Sequence, residues 1–236
     1  VLHCPMHVEN IRIATVVARK EGNETRESKT LRIVAHPDSP INFETSERVL
    51  VNVTGSHGDD IMIGPKLGSA TFHGGAGNDQ LIARASLKKY RHRFYGGAGD
   101  DLLIGGGGRD LLDGGPGNDI IKGGGGNNIL IGGHGNDMIS DGDGTSVIHT
   151  GPGQNYVQLG EGDDTVHVGS GTNVIDPGTG AVTFKIAYGG VTHVRRWRAE
   201  QGYDLSSWPA RPQLSRRGTE CQLRLGLSVL RIDNVP

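Results

Sequence analysis

A nine-residue period runs without slippage from Gly96 to Lys185, and it limits the chain to an array of small stacked modules. The blocks read GGAGDDLLI, GGGGRDLLD, GGPGNDIIK, GGGGNNILI, GGHGNDMIS, DGDGTSVIH, TGPGQNYVQ, LGEGDDTVH, VGSGTNVID and PGTGAVTFK. A block this short cannot bury an apolar side chain alone and must stack on its neighbours. Two more blocks in the same grammar lie upstream, at Gly55–Ile63 and Gly74–Ile82. A degenerate ten-residue piece, Gly64–His73, separates them, and a 13-residue insertion, Ala83–Tyr95, precedes the long run.

Position 8 of the block is apolar throughout: Met62, Leu81, Leu103, Leu112, Ile121, Leu130, Ile139, Ile148, Val157, Val166, Ile175 and Phe184. One obligatory apolar residue in nine is no helical face, which needs apolar residues three and four apart. It fits a very short strand with one inward side chain, followed by a turn. Glycine fills the turn because repeated tight turns demand positive φ. Two blocks make one coil of 18 residues, and stacked coils give two parallel sheets around a thin core. At about 4.8 Å per coil, the ten-block run is about 24 Å long.

Position 6 reads Asp60, Asp79, Asp101, Asp110, Asp119, Asn128, Asp137, Ser146, Asn155, Asp164, Asn173 and Val182. Glycine turns expose backbone carbonyls, and an aspartate at the end of the turn adds a carboxylate. A hard cation such as Ca²⁺ takes oxygen ligands of this sort. Sulfur and imidazole, which favour zinc, are missing from the pattern.

These blocks resemble the repeat-in-toxin (RTX) nonapeptide family, with its G-G-x-G-x-D-x-U-x pattern. The resemblance covers residues 55–185, a little over half of the chain. It implies an all-β fold, a parallel β-roll (a right-handed β-solenoid), and calcium-triggered folding outside a bacterial cell. Under this resemblance the metal residues are Asp60, Asp79, Asp101, Asp110, Asp119 and Asp137, together with the turn glycines Gly97, Gly99, Gly106, Gly108, Gly115, Gly117, Gly133 and Gly135. Ligands come from turns one coil apart, so block n pairs with block n+2. One edge then reads Asp101, Asp119, Asp137, Asn155, Asn173; the other reads Asp60, Asp79, Asp110, Asn128, Ser146, Asp164, Val182. Both carboxylates are present in the pairs Asp101–Asp119, Asp119–Asp137, Asp60–Asp79 and Asp79–Asp110. The asparagines bring no charge, so about three to five ions are expected, concentrated before residue 140. Between 55 and 185 there are 15 acidic and nine basic residues, five of the basic ones within the insertion. Unneutralised aspartate columns repel, which couples folding to metal.

The flanks differ from the array. Residues 1–54 alternate, as in IRIATVVA, TLRIVA and RVLVNVTG, and read as three strands forming a β-rich cap or the end of a preceding domain. Residues 186–236 read as a mixed cap, a helix or irregular piece (VTHVRRWRAEQGYDLSSW) followed by one or two closing strands. In the RTX family this place holds a cap that also carries the export signal; here it has eight Arg and four acidic residues. Cys4 and Cys221 are too few for a disulfide framework and read as free thiols. No apolar run is long enough to span a membrane. The chain begins Val-Leu-His with no signal peptide, which reads as part of a longer protein with further domains upstream.

Other features are weighed against plain alternatives. His149, His167 and Lys185 form a position-9 column that is either a polar surface or, with a further ligand, a metal or pH-sensing site. Position 7 is apolar in many blocks (Leu102, Leu111, Ile120, Ile129, Met138, Val147, Tyr156), a docking stripe or simply β-propensity. The insertion carries Arg84, Lys88, Lys89, Arg91 and Arg93 among aromatics, which suits an acidic glycan or lipid, or a solvated loop. Nucleic acid has no support. No GxSxG, HExxH, CxxC or Walker loop is present, so no enzyme activity is expected from this chain. The reading is a calcium-binding module of a secreted bacterial toxin or exoenzyme, exported through a type I apparatus and folding outside. The alternatives are a glycan- or receptor-binding module and a non-catalytic appendage of a secreted hydrolase or polysaccharide epimerase.

Overall fold

A computed structural model describes residues 11–21, 24–38, 40–44, 50–187, 189–196, 202–204, 213–217, 220–225 and 228–232. All regular structure among them is strand. The strands stack as coils of about 18 residues, about nine in all, and form a β-solenoid. One sheet takes, in order, Glu24–Ala35, Leu50–Thr54, Ala70–Ala76, Arg93–Ala98, Leu111–Pro116, Ile129–His134, Val147–His149, Asp164–Val168, Val182–Ile186 and Gly202–Asp204. The other takes Asn42–Glu44, Ile61–Ile63, Gln80–Ile82, Leu102–Ile104, Ile120–Lys122, Met138–Ser140, Gly153–Gln158, Gly171–Asp176, Gly190–Val194 and Ser228–Ile232. Both sheets are parallel through this stack, with Leu112 opposite Leu130 and Ile121 opposite Ile139. Each coil gives one strand to each sheet, as the doubled nine-residue period requires.

The position-8 column is the core. All twelve of its side chains are buried with no exposed surface. Phe43, Val53, Phe72 and Phe94 extend it upstream and Val194 downstream. Phe72 and Phe94 stack at 4.9 Å with ring planes 6° apart, and Phe43 meets Phe72 edge-on at 6.2 Å. A core one side chain wide gives each coil little apolar burial, so neighbouring coils depend on each other.

The insertion departs from the sequence expectation. It is a block four residues too long rather than an excursion from the array. Arg93, Phe94 and Tyr95 pair with Thr71, Phe72 and His73 on one side and with Leu111, Leu112 and Asp113 on the other. Its extra residues lie along the next turn: Gly107 N–H donates to Ala85 O at 3.1 Å. A Cβ on Gly106, Gly107 or Gly108 would fall 2.2, 1.9 or 1.7 Å from the carbonyl oxygens of Ala85, Ser86 and Tyr90. The four-glycine run 105–108 therefore serves to seat this loop. Lys88, Lys89, Arg91 and Arg93 face solvent. The ten-residue piece 64–73 is likewise a block, with Phe72 in the core position.

The ends differ as well. Strands upstream of Gly55 already belong to both sheets, and Ile11–Glu21 closes the first sheet antiparallel to Glu24–Ala35. At the other end, Gly190–Val194 is a strand with Thr192 and Val194 buried, where the sequence reads as helix or irregular. Alternation in VTHV continues the roll's pairing with Gly171–Asp176. Beyond Ser228–Ile232, Glu220–Leu225 and Gln213–Arg217 add antiparallel strands. An antiparallel hairpin closes one edge of each sheet, the first at its upstream end and the second at its downstream end, so that edge offers no flat parallel strand to other chains. Cys4 and the side chain of Cys221 lie outside the described residues.

Candidate metal centre

The position-6 side chains run along the two edges of the roll, where the turns join the sheets. On the first edge each carboxylate reaches back one coil and accepts a backbone N–H through Oδ1. Asp79 accepts from Asp60 at 2.8 Å, Asp101 from Asp79 at 2.7 Å, Asp119 from Asp101 at 2.8 Å and Asp137 from Asp119 at 3.0 Å. Asn155 continues the ladder, accepting from Asp137 at 2.9 Å. Asp60 begins it and accepts from Ile41 N–H.

The second oxygen decides what the ladder is for. Oδ2 of Asp79, Asp101, Asp119 and Asp137 is buried and has no hydrogen-bond partner. These four side chains belong to residues no more than 2 % exposed. A buried, unpartnered anionic oxygen is costly unless a cation meets it. Against each lies the first glycine of its own block: a Cβ on Gly74, Gly96, Gly114 or Gly132 would come within 2.1, 2.2, 2.2 or 2.4 Å of that Oδ2. The same imagined Cβ atoms fall 2.4, 2.7, 2.7 and 2.5 Å from the carbonyl oxygens of Gly96, Gly114, Gly132 and Thr150 in the next coil. Carboxylate and carbonyl oxygens thus crowd a space that only glycine leaves open.

The turns themselves require glycine at positions 2 and 4. Gly97, Gly99, Gly115, Gly117, Gly133 and Gly135 all have positive φ, between 107° and 152°. Gly106 and Gly108 do not share this conformation; their turn is shaped by the loop packed on it.

Burial pushes the Asp79 and Asp119 carboxyls up to about 7 and that of Asp101 to about 6, with neighbouring carboxylates adding to the rise. Burial also raises Asp137. Backbone N–H groups oppose the shift in all four. Among the described residues no group of three or more His, Cys, Asp or Glu side chains is placed to hold a metal ion. A cation here needs backbone carbonyls to complete its shell, which suits calcium's preference for six to eight oxygens.

Edge membership differs from the sequence reading. Asp60 and Asp79 stand in the ladder of Asp101, so Asp79–Asp110 is not a pair. Both irregular pieces are blocks: 64–73 keeps Asp60 with Asp79, and counting 83–95 as a further block moves both to the edge of Asp101. The second edge reads Ala70, His92, Asp110, Asn128, Ser146, Asp164 and Val182. His92 is buried, accepts Ala70 N–H at Nδ1 and gives its own N–H to Asp110 Oδ1. Asp110 Oδ2 accepts Gly106 N–H at 2.7 Å, and Asp60 Oδ2 accepts Ser56 N–H, so both are satisfied locally.

A second ladder escaped the sequence reading. Position 5 also links coils: Asn78 N–H donates to Asp59, Asp100 to Asn78, Asn118 to Asp100 and Asn136 to Asn118, at 2.7 to 2.9 Å. Its signal was the doubled Asp/Asn at positions 5 and 6. His149 and His167 stack at 4.3 Å on the outward face of the first sheet, beside Lys185. The position-7 residues face outward in two columns, one per sheet; Met138 is the most open at 52 %.

The RTX calcium-binding nonapeptide repeat family matches this chain in four copies, at residues 67–86, 93–121, 113–148 and 140–175. Residues 67–175 are therefore an RTX calcium-binding repeat array. No curated protein matches the chain.

Proposed function

We propose that this array is a calcium-binding folding module of a secreted bacterial protein, a toxin or exoenzyme, with its principal ions held along the first edge. The observation that carries the reading is the row of four buried Oδ2 atoms without partners at Asp79, Asp101, Asp119 and Asp137. Asp60, at the head of the same ladder, and the glycines at positions 2 and 4 belong to the same set of turns. Calcium supplies the positive charge that lets these carboxylates be ionised while buried. Without it, the glycine-rich coils have a thin core to set against the entropy of ordering them. The chain stays unfolded where calcium is scarce, passes an exporter as an extended polypeptide and folds where calcium reaches the roughly 0.1–1 mM that suits extracellular modules. Folding at the exit opposes backward sliding. The module performs no catalysis of its own.

Replacing Asp101, Asp119 and Asp137 together by Asn tests this. Asn retains the Oδ1 acceptor, as Asn155 does in the same ladder. Native mass spectrometry is expected to show at least two fewer bound calcium ions, and export from producing cells is expected to slow. An unchanged ion count overturns the site assignment. A lowered count with an unchanged export rate overturns the export role.

A further inference from the structure

By the rule that consecutive position-6 carboxylates make a site, the second edge has none, because Asp110, Asn128, Ser146 and Asp164 never place two together. Yet the block 141–149 opens on Asp, where the five preceding blocks open on Gly. Asp141 turns into the edge of the roll. Its Oδ1 accepts from Asn128 Nδ2 at 2.9 Å and sits 2.1 Å from where a Cβ on Gly123 would be. Its Oδ2 is buried and has no partner. One coil on, Asp164 is 2 % exposed; its Oδ1 accepts Ser146 N–H at 2.8 Å, and its Oδ2 is likewise buried without a partner.

Ser146 joins the two. Its N–H donates to Asp164 Oδ1, its Oγ accepts Asn128 N–H at 2.9 Å and lies 3.4 Å from Gly126 O, and its side chain lies close enough to the Asp141 carboxyl to oppose the rise that burial gives it. Neither carboxylate has a salt bridge among the described residues. Two unpartnered carboxylate oxygens on either side of one serine, with the Gly126 carbonyl beside it, form a set of hard oxygen donors lacking a cation.

We propose that Asp141 and Asp164, with Ser146 between them, hold a calcium ion in a site on the second edge that the repeat pattern does not encode, Asn128 positioning Asp141 through its amide N–H. Asp141, at position 1, supplies from the turn's start the charge that Asn128 and Ser146 lack at position 6. The inference rests on the calcium reading of the array and adds an ion to it.

The test counts calcium ions by native mass spectrometry on the whole chain. Asp141→Gly restores the residue that opens seven other blocks, and Asp164→Asn retains the ladder acceptor, so both variants keep the roll's turn chemistry. Each is expected to lose one ion, and the double variant the same single ion. Asp143→Asn, an equal charge change at an exposed position of the same turn, is expected to lose none. A wild-type count retained in Asp141→Gly overturns this site while leaving the first edge standing. A wild-type chain that takes up no calcium overturns both readings.

Discussion

Gly133→Ala is expected to abolish folding of the array at calcium concentrations that fold the unaltered chain. Gly133 has φ of 109°, a conformation that costs an L-residue about 1–3 kcal/mol. The added Cβ would also lie 1.9 Å from Gly115 O and 2.7 Å from its carbonyl carbon. Those atoms are backbone, held by Leu112–Leu130 pairing and by the Asp119–Asp137 link, so they have little room to yield. Together the strain and overlap exceed about 4 kcal/mol, a large share of the 5–15 kcal/mol that holds a typical domain. Gly125→Ala supplies the contrast. Gly125 lacks a positive φ, and its nearest neighbour to an added Cβ is 3.9 Å away. Its calcium midpoint for folding, followed by circular dichroism, is expected to move by less than about threefold, equivalent to under 1 kcal/mol. Equal behaviour of the two variants would mean that the stacked turns do not limit stability.

In chelator, acidification from pH 8 to pH 5 is expected to stabilise the metal-free roll. Asp79, Asp119 and Asp164 have carboxyls raised to about 7, and Asp101 to about 6, against an ordinary 3.8, with burial the leading cause. A group raised on folding contributes stability that is complete below its unfolded value and lost as pH climbs through its folded value. The gain therefore accrues between about pH 7 and pH 4. Histidines act in the other sense. Burial lowers His73, His92, His149 and His167, so their contribution is present above 6.5 and fades below it. They flatten the rise at its acid end without reversing it, since Asp137 and Asp141 are raised as well. With saturating calcium the sign inverts, because protons displace the ion. Far-ultraviolet circular dichroism in chelator across this range, and urea midpoints with saturating calcium, check both halves. A chain in chelator that gains no β-structure between pH 8 and pH 5 would contradict the account.

The period made the roll legible because it reports one inward residue and one turn per strand, and Leu103, Leu112 and Ile121 take their places without exception. The first-edge ladder from Asp101 to Asp137 followed from the same count. Parity upstream did not. A block of 13 residues and a block of ten hide the phase, and the pairing and burial of Phe94 and Phe72 show that each still contributes a strand. Asp79 consequently changes edge. Asp141 was passed over because the pattern assigns chemistry to position 6, whereas a side chain at position 1 reaches the same space from the start of the turn. The position-5 ladder was passed over because solvent-facing Asn and Asp look like ordinary turn residues until their side chains are seen to accept N–H groups from the next coil.

The central claim is that calcium and folding are one event. Far-ultraviolet circular dichroism during a calcium titration from chelator, at neutral pH, tests it directly. A transition from coil to β-structure with a midpoint between about 10 µM and 1 mM is the predicted result. A β-spectrum already complete in chelator, and unchanged as calcium is added, would contradict it.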